Sequence, residues 1–247
     1  MENIRMLHAG EQGLVVEFGD TINPIINEKV HYLAELLQQE LGRALLEVVP
    51  TYRSLLIYFN PLLITRGQLI DKVSRVLEHN SQEAVDKKKK QVIHIPVCYG
   101  GECGEDLAFV ASHNNLTQQE VIEIHTSVPY LVYMIGFTPG FPYLGGMSEK
   151  IATPRLEKPR TKIPAGSVGI AGSQTGFYPV ESPGGWQLIG RTPVKAFDPA
   201  AANPFLFAAG DYLKFESISE TEYKVIKDSV DAGAYKPVIG VLKGGDS

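Results

Sequence analysis

Pro164-Ala-Gly-Ser-Val-Gly-Ile-Ala-Gly-Ser-Gln-Thr-Gly-Phe-Tyr-Pro-Val-Glu-Ser-Pro-Gly-Gly-Trp-Gln-Leu-Ile-Gly-Arg-Thr-Pro193 decides the fold class. Its apolar runs, Val168 to Ala171, Phe177 to Val180 and Gln187 to Ile189, are too short for helices and are fenced by Gly and Pro. Pro inside a helix removes a backbone donor and clashes with the preceding turn. The runs therefore read as short strands joined by tight turns, the pattern of a barrel or sandwich. A nucleotide-binding reading of the glycines fails. A P-loop needs Gly-Lys-Ser or Gly-Lys-Thr leading into a helix, and here Phe177-Tyr-Pro-Val-Glu-Ser-Pro183 follows. What remains is a Gly-rich strand and turn: its backbone can approach a small ligand closely, or its polar residues are ordinary turn residues in solvent.

The same punctuation continues on both sides. Tyr130 to Ile135 and Tyr212 to Phe215 read as strands, and Val92 to Val97 is an alternating strand that opens this β-rich domain. Between them lie two short helices, Glu105 to His113 and a segment opened by a Thr117/Glu120 capping box that runs to His125. Pro129 bars its continuation. The first ninety residues differ. Ile4 to His8 and Leu14 to Phe18 form a hairpin, Asn23-Pro24 starts a helix, and Ile26, Val30, Leu33, Leu37 and Leu41 recur at helical spacing up to Gly42. Leu45 to Val49 and Ser54 to Phe59 make a second strand pair, and Thr65 with Gln68 opens a helix through Leu77. The order is β-β-α-β-β-α. His79 to Lys90 is polar and ends in four lysines, Lys87 to Lys90. The expected organisation is an α+β chain: an N-terminal α+β domain over 1–84, a linker over 85–90, a β-barrel domain over 91–218, and a helix with a frayed tail over 219–247.

Composition bounds the function. The chain has 247 residues with 24 Gly and 16 Pro, and a net charge of -5. An acidic balance excludes nucleic acid as the main partner, because such binding rests on a basic surface. Two cysteines, Cys98 and Cys103, cannot make a disulfide scaffold and suit a reducing compartment; their spacing does not fit a zinc knuckle, so no metal is expected. Met1 to His8 lacks the apolar core of a signal peptide and no run of about 18 apolar residues occurs. The expectation is a cytoplasmic protein with no membrane partner.

Candidate chemistry concentrates between Gly136 and Pro193. In Gly136-Phe-Thr-Pro-Gly-Phe-Pro-Tyr-Leu-Gly-Gly146 aromatic rings sit on a Pro-stiffened, turning backbone. Phe137, Phe141 and Tyr143 either form a wall for a ligand or partner, losing little entropy on docking, or plug one end of the barrel. Pro154-Arg155, Pro159-Arg160 and Lys162 space three cations along a segment that cannot be helical, and Arg191 adds a fourth. Arginine offers a bidentate donor fork to a carboxylate or phosphate; the plainer reading is solvated loop cations. Gln174 and Ser182 are neutral hydrogen-bonding candidates. Trp186 reads as core. No Gly-x-Ser-x-Gly elbow is present. Among six histidines, His125, at a helix end beside the aromatic loop, is the candidate proton carrier, with contact to the helix's last carbonyls as the alternative.

The motifs Pro96-Val-Cys-Tyr-Gly-Gly101, Gly136 to Gly146, Pro154-Arg155, Pro159-Arg160, Pro164 to Gly172, Gln174-Thr-Gly176 and Ser182-Pro-Gly-Gly-Trp186 through Gly190-Arg-Thr-Pro193 closely resemble the KipI / PxpB family, also called allophanate hydrolase subunit 1. The resemblance implies a cyclophilin-like β-barrel after a small α+β domain. It implies the B subunit of a bacterial 5-oxoprolinase, which with the A and C subunits (the latter resembling KipA) opens 5-oxoproline to glutamate using ATP. No cofactor would be bound by this chain, and ATP would enter through another subunit. Family members are also described as inhibitors of a sporulation sensor histidine kinase, the alternative partner. The fold does not import prolyl isomerase activity. On this reading Arg155, Arg160, Lys162 and Arg191 line a cationic recess that holds a carboxylate or oxyanion. Gln174 and Ser182 orient the ring, His125 moves a proton, and a second polypeptide completes the site.

Overall fold

A computed structural model of the protein describes residues 4–79 and 90–242. The expected linker over 85–90 lies outside the described residues except for Lys90. The chain divides into two compact units between Lys88 and Lys89.

In the first unit, strands β1 (Arg5–Ala9), β2 (Gly13–Glu17), β3 (Leu45–Pro50) and β4 (Ser54–Phe59) form an antiparallel sheet of order β1-β2-β4-β3. Helix α1 (Pro24–Leu41) starts as its sequence dictates: the Asn23 side chain accepts the N–H of Ile25 at 2.8 Å, with Pro24 in the first turn. Gly42 ends it in a left-handed conformation. Ile26, Val30, Leu33, Leu37 and Leu41 are all buried, against Leu14, Val16, Leu55, Ile57 and Phe59 of the sheet. Helix α2 (Arg66–His79) is opened by reciprocal Thr65 and Gln68 bonds and adds Leu69, Val73 and Val76 to the same core.

The second unit is built on an eight-stranded sheet. Its path is β10 (Gln174–Phe177), β9 (Ser167–Ala171), β12 (Gln187–Arg191), β5 (Gln91–Tyr99), β13 (Tyr212–Ile218), β6 (Tyr130–Ile135), β7 (Pro142–Gly145). The two ends of this path, β7 and β10, return alongside each other, so the sheet is a nearly closed barrel. β5 and β13 run parallel and the other pairs are antiparallel. β5 shares one edge between two partners: β12 takes Cys98 and Tyr99, and β14 (Ile239–Val241) takes Gln91 to Ile93. The barrel interior packs Ile93, Ile95, Val97, Val168, Ile170, Phe177 and Phe215 with Leu107 and Val110 of helix α3 (Leu107–His113) and Val121 of helix α4 (Gln118–Thr126). Outside the barrel, β8 (Arg160–Ile163) and β11 (Ser182–Gly184) make a separate two-stranded ribbon, and helix α5 (Glu220–Asp231) is capped by Ser219.

The barrel departs from the sequence expectation in detail. The strand expected over Phe177 to Val180 is displaced to Gln174–Phe177, because a two-residue turn at Gly172-Ser173, with Gly172 at φ 60°, pairs Gln174 with Ala171. Pro179 then interrupts the run. Strands β7, β8, β11 and β14 were not expected. β7 opens on Pro142 and β11 contains Pro183, which such strands accept only at a start or an edge.

Candidate functional site

Strands β9 and β10 sort their side chains onto two faces. Ile170, Thr175 and Phe177 point into the barrel, whereas Ala171, Gln174, Gly169 and Gly176 lie on its outer face. On that outer face a second apolar cluster gathers Phe141, Ile163, Ala171, Tyr178, Trp186 and Leu188. A Cβ at Gly169 would lie 3.2 Å from the Trp186 Cβ, and one at Gly176 would lie 3.6 Å from its indole. The backbone that the sequence left open to a ligand is therefore occupied by Trp186. Its indole meets the edges of Phe141 and Tyr178 at 5.6 and 5.9 Å between centroids.

Beside this cluster opens a recess of about 130 Å³. That is the order of the ~150 Å³ cavity that accepts a benzene ring. Phe137, Phe141, Tyr143 and Trp186 supply aromatic walls, Pro183, Gly184 and Gly185 one rim, and Arg155, Gln174 and Tyr178 the polar groups. The loop that delivers the aromatics is tightly folded: Gly136 N–H donates to Phe141 O at 3.1 Å, and Phe141 N–H donates to Thr138 O at 3.0 Å. Within it Phe137 takes φ 65° and is 69% exposed. A bulky residue held left-handed costs about 1–2 kcal/mol, and here that conformation presents an apolar ring to solvent at the mouth of the recess.

The four expected cations do not converge. Arg155 alone lines the recess, and among the described residues it has no ion pair. Burial pushes the Tyr178 phenol up, and the Arg155 charge is the largest influence pulling it back down. Arg160, expected in the cationic recess, is held by two carboxylates. Its Nη2 donates to both Asp106 carboxylate oxygens at 2.9 and 2.8 Å, its Nε meets Glu105 at 2.9 Å, and its Nη1 donates to Trp186 O at 3.2 Å. Asp106 also accepts the N–H of Leu188 at 2.6 Å. With two carboxylates on one guanidinium, Arg160 is a clamp tying the start of α3 to β8 and β12, and its charge is spent. Lys162 pairs with Glu181 at 3.1 Å, with both side chains more than half exposed. Arg191 stands at the end of β12 opposite Cys98, outside the recess. Ser182 pairs with Ile163 across the ribbon and its hydroxyl is buried without a hydrogen-bond partner among the described residues; its neighbour Pro183, not Ser182, lines the recess.

His125, the expected proton carrier, lies in the barrel core. Its side chain is fully buried, stacked on Phe215 at 4.7 Å. Tyr99 Oη lies 2.7 Å from Nδ1, Nε2 lies 2.8 Å from Thr175 Oγ1, and Thr175 Oγ1 donates to Gly169 O at 3.0 Å. This chain is self-consistent for one tautomer, with Tyr99 donating to Nδ1 and Nε2–H donating to Thr175. Burial pushes the imidazole down to about 3, so it is neutral at ordinary pH. The ring holds β10 from inside the barrel and reaches neither solvent nor the recess.

Sequence reading missed Tyr178, the Gly184-Gly185 rim and the two acidic partners of Arg160. The signal for Arg160 was present: Glu105-Asp106 stand together at a helix start, where carboxylates are favoured. Replacing Arg160 with Ala is expected to lower stability by about 2–3 kcal/mol, since it strands a partly buried Asp106. Chemical denaturation should show it, and an unchanged midpoint would remove the clamp from the fold's supports.

Among the described residues no group of three or more His, Cys, Asp or Glu is placed to hold a metal ion, and no helix is long and apolar enough to cross a membrane. Residues 4–207 match the family described as carboxyltransferase domain, subdomain C and D. The chain is 43% identical over 227 residues to the 5-oxoprolinase B subunit of Bacillus subtilis, covering 89% of this chain and 95% of that protein. It is 38% identical over 216 residues to the protein of the same name from Escherichia coli O157:H7, covering 87% and 96%. In fold it resembles the crystal structure of the K. lactis urea amidolyase, with a TM-score of 0.77 at 23% identity, over 97% of this chain and 16% of that longer one.

Proposed function

Because the chain belongs to the carboxyltransferase-domain family, subdomains C and D, we propose that it is the B subunit of a 5-oxoprolinase complex and that its barrel recess holds the lactam substrate. The observation that carries this reading is a ring-sized, aromatic-walled recess with one unpaired arginine at its edge. 5-Oxoproline is a five-membered lactam bearing one carboxylate. The aromatic walls suit the ring, the Arg155 guanidinium suits the carboxylate through a two-donor fork, and the Gln174 amide can donate to the lactam oxygen or accept from its N–H. Tyr178, kept protonated by burial, is a further donor.

The residues that line the recess include no serine, cysteine or histidine. They bind and orient; they supply no nucleophile and no base. Opening an unstrained lactam is helped by phosphorylating its oxygen and by cations where negative charge develops. This chain carries no P-loop or dinucleotide fingerprint, so phosphoryl chemistry falls to the A and C subunits with ATP, and the site is completed in the complex. The exposed ring of Phe137 at the mouth suits a partner surface.

The test is reconstitution. The purified chain alone should leave 5-oxoproline unchanged, whereas co-expression with the A and C subunits should give ATP-dependent glutamate release that requires it. Within that complex Arg155→Ala should lower kcat/KM by about 30- to 150-fold, the worth of a charge-assisted bond of roughly 2–3 kcal/mol, with the melting temperature unchanged. Equal turnover by complexes with and without this chain would end the proposal. Wild-type turnover by the Arg155→Ala complex would remove the recess as the substrate site.

A further inference from the structure

The chain's two cysteines stand at opposite ends of one turn and play no part in the recess. Cys98 lies near the end of β5. Its neighbour Val97 points into the barrel, so Cys98 faces outward, where it is 3% exposed. After Tyr99 the chain reverses at once. Gly100 and Gly101 both take left-handed conformations, φ 69° and 52°, and the Gly100 carbonyl accepts the N–H groups of Cys103 and Gly104 at 3.0 and 2.9 Å. This double closure turns Cys103 back toward Cys98, and each thiol lies within reach of the other's influence. Both sulfurs and the Arg191 guanidinium act on the phenol of Tyr223 in α5. Arg191 is also the residue opposite Cys98 across the β12–β5 pair, whose side chains share a face. Two thiols, a guanidinium and the underside of a helix therefore share one site.

We propose that Cys98 and Cys103 are a reversible oxidation site, at which a hydroperoxide closes an intramolecular disulfide beneath helix α5. The two thiols are not equivalent. Cys98 is buried, and burial, followed by the influence of Cys103, pushes its thiol up to about 12; Cys103 is half-buried and reachable. Cys103 is the attacking sulfur. As thiolate it takes the terminal oxygen of the peroxide; the O–O bond breaks, the leaving oxygen takes up a proton as alcohol or water, and Cys103 becomes a sulfenic acid. The Cys98 sulfur then attacks that sulfur. The S–S bond forms, the S–O bond breaks, and hydroxide leaves with the Cys98 proton as water. Two electrons pass from the thiol pair to the peroxide, and a dithiol reductant returns them by exchange. Arg191 stands opposite Cys98, the resolving sulfur, and the Glu220 carboxylate also acts on that thiol. In a reducing compartment the pair rests as dithiol.

The test uses the full chain, whose two cysteines make thiol counting unambiguous. The protein is treated with hydrogen peroxide, then denatured, alkylated and mapped by mass spectrometry. The expected result is loss of both titratable thiols, a mass lower by two hydrogens, a single cross-linked peptide joining Cys98 to Cys103, and recovery of both thiols with dithiothreitol. In Cys98→Ser the sulfenic acid on Cys103 should persist long enough to be trapped by dimedone; in Cys103→Ser, Cys98 should stay reduced. Retention of both thiols under peroxide that oxidises free cysteine would overturn the proposal. So would bridges only between molecules, or over-oxidised Cys103 with no internal bridge.

Discussion

Truncating Trp186 to alanine is expected to cost the barrel unit about 3–5 kcal/mol, the loss usual for a buried large aromatic. The indole is 8% exposed and wedged between two edge-on rings, each such pair adding roughly 0.5–1.5 kcal/mol beyond area burial. The hole left behind cannot close. Its floor is the bare backbone of Gly169 and Gly176, which have no side chains to move in, and its flank is the Pro183-Gly-Gly185 segment. Guanidinium denaturation followed by far-UV circular dichroism would read the loss. Phe137→Ala is the control: an exposed ring at the same recess should shift stability by no more than about 0.5 kcal/mol. Equal small shifts from both would mean that the outer cluster is ornament on a barrel stable without it.

The second large effect is acid sensitivity from His125. In the folded chain its imidazole is held down at about 3 by burial, against an ordinary 6.5. Between those values the unfolded chain binds a proton that the folded chain refuses. Stability is therefore fully present above pH 6.5 and declines as pH falls toward 3, at about 1.4 kcal/mol per pH unit, for a total of roughly 4–5 kcal/mol. Carboxylates lose stability over part of the same range, so the informative quantity is a difference. His125→Gln keeps an amide donor for Thr175 and removes the titration. Its denaturation midpoints between pH 6 and 4 should fall less steeply than those of the wild type, by about one proton. Parallel slopes would mean that the imidazole takes up its proton while folded.

The two outcomes separate what the amino-acid order announces from what packing decides. Asn23-Pro24, Thr65 with Gln68 and Thr117 with Glu120 act over a few residues, so their helices start where local chemistry puts them. The Tyr130–Ile135 strand is likewise bounded by its own apolar run. Strands β8 and β11 have no such local signature, because Arg160 to Ile163 is extended only by virtue of its partner across the ribbon. The site follows the same division. Phe137, Phe141, Tyr143, Arg155 and Gln174, which line one recess, each stood in a stretch of unusual composition, but not as one group. That Arg160 and Lys162 do not join Arg155 was not, since their acidic partners come from Glu105, Asp106 and Glu181, brought in by tertiary folding. Burial of His125 was equally invisible: a helix-terminal histidine faces outward or inward according to how α4 rolls against β13.

The divided edge of β5 has a practical bearing on handling the protein. Because Ile239–Val241 pairs with Gln91 to Ile93, the part of the β5 edge that β12 does not reach is covered. A shortened chain lacking this short strand would present a ready template for other molecules to zip onto. Such a chain is expected to self-associate, so affinity handles belong at the amino end.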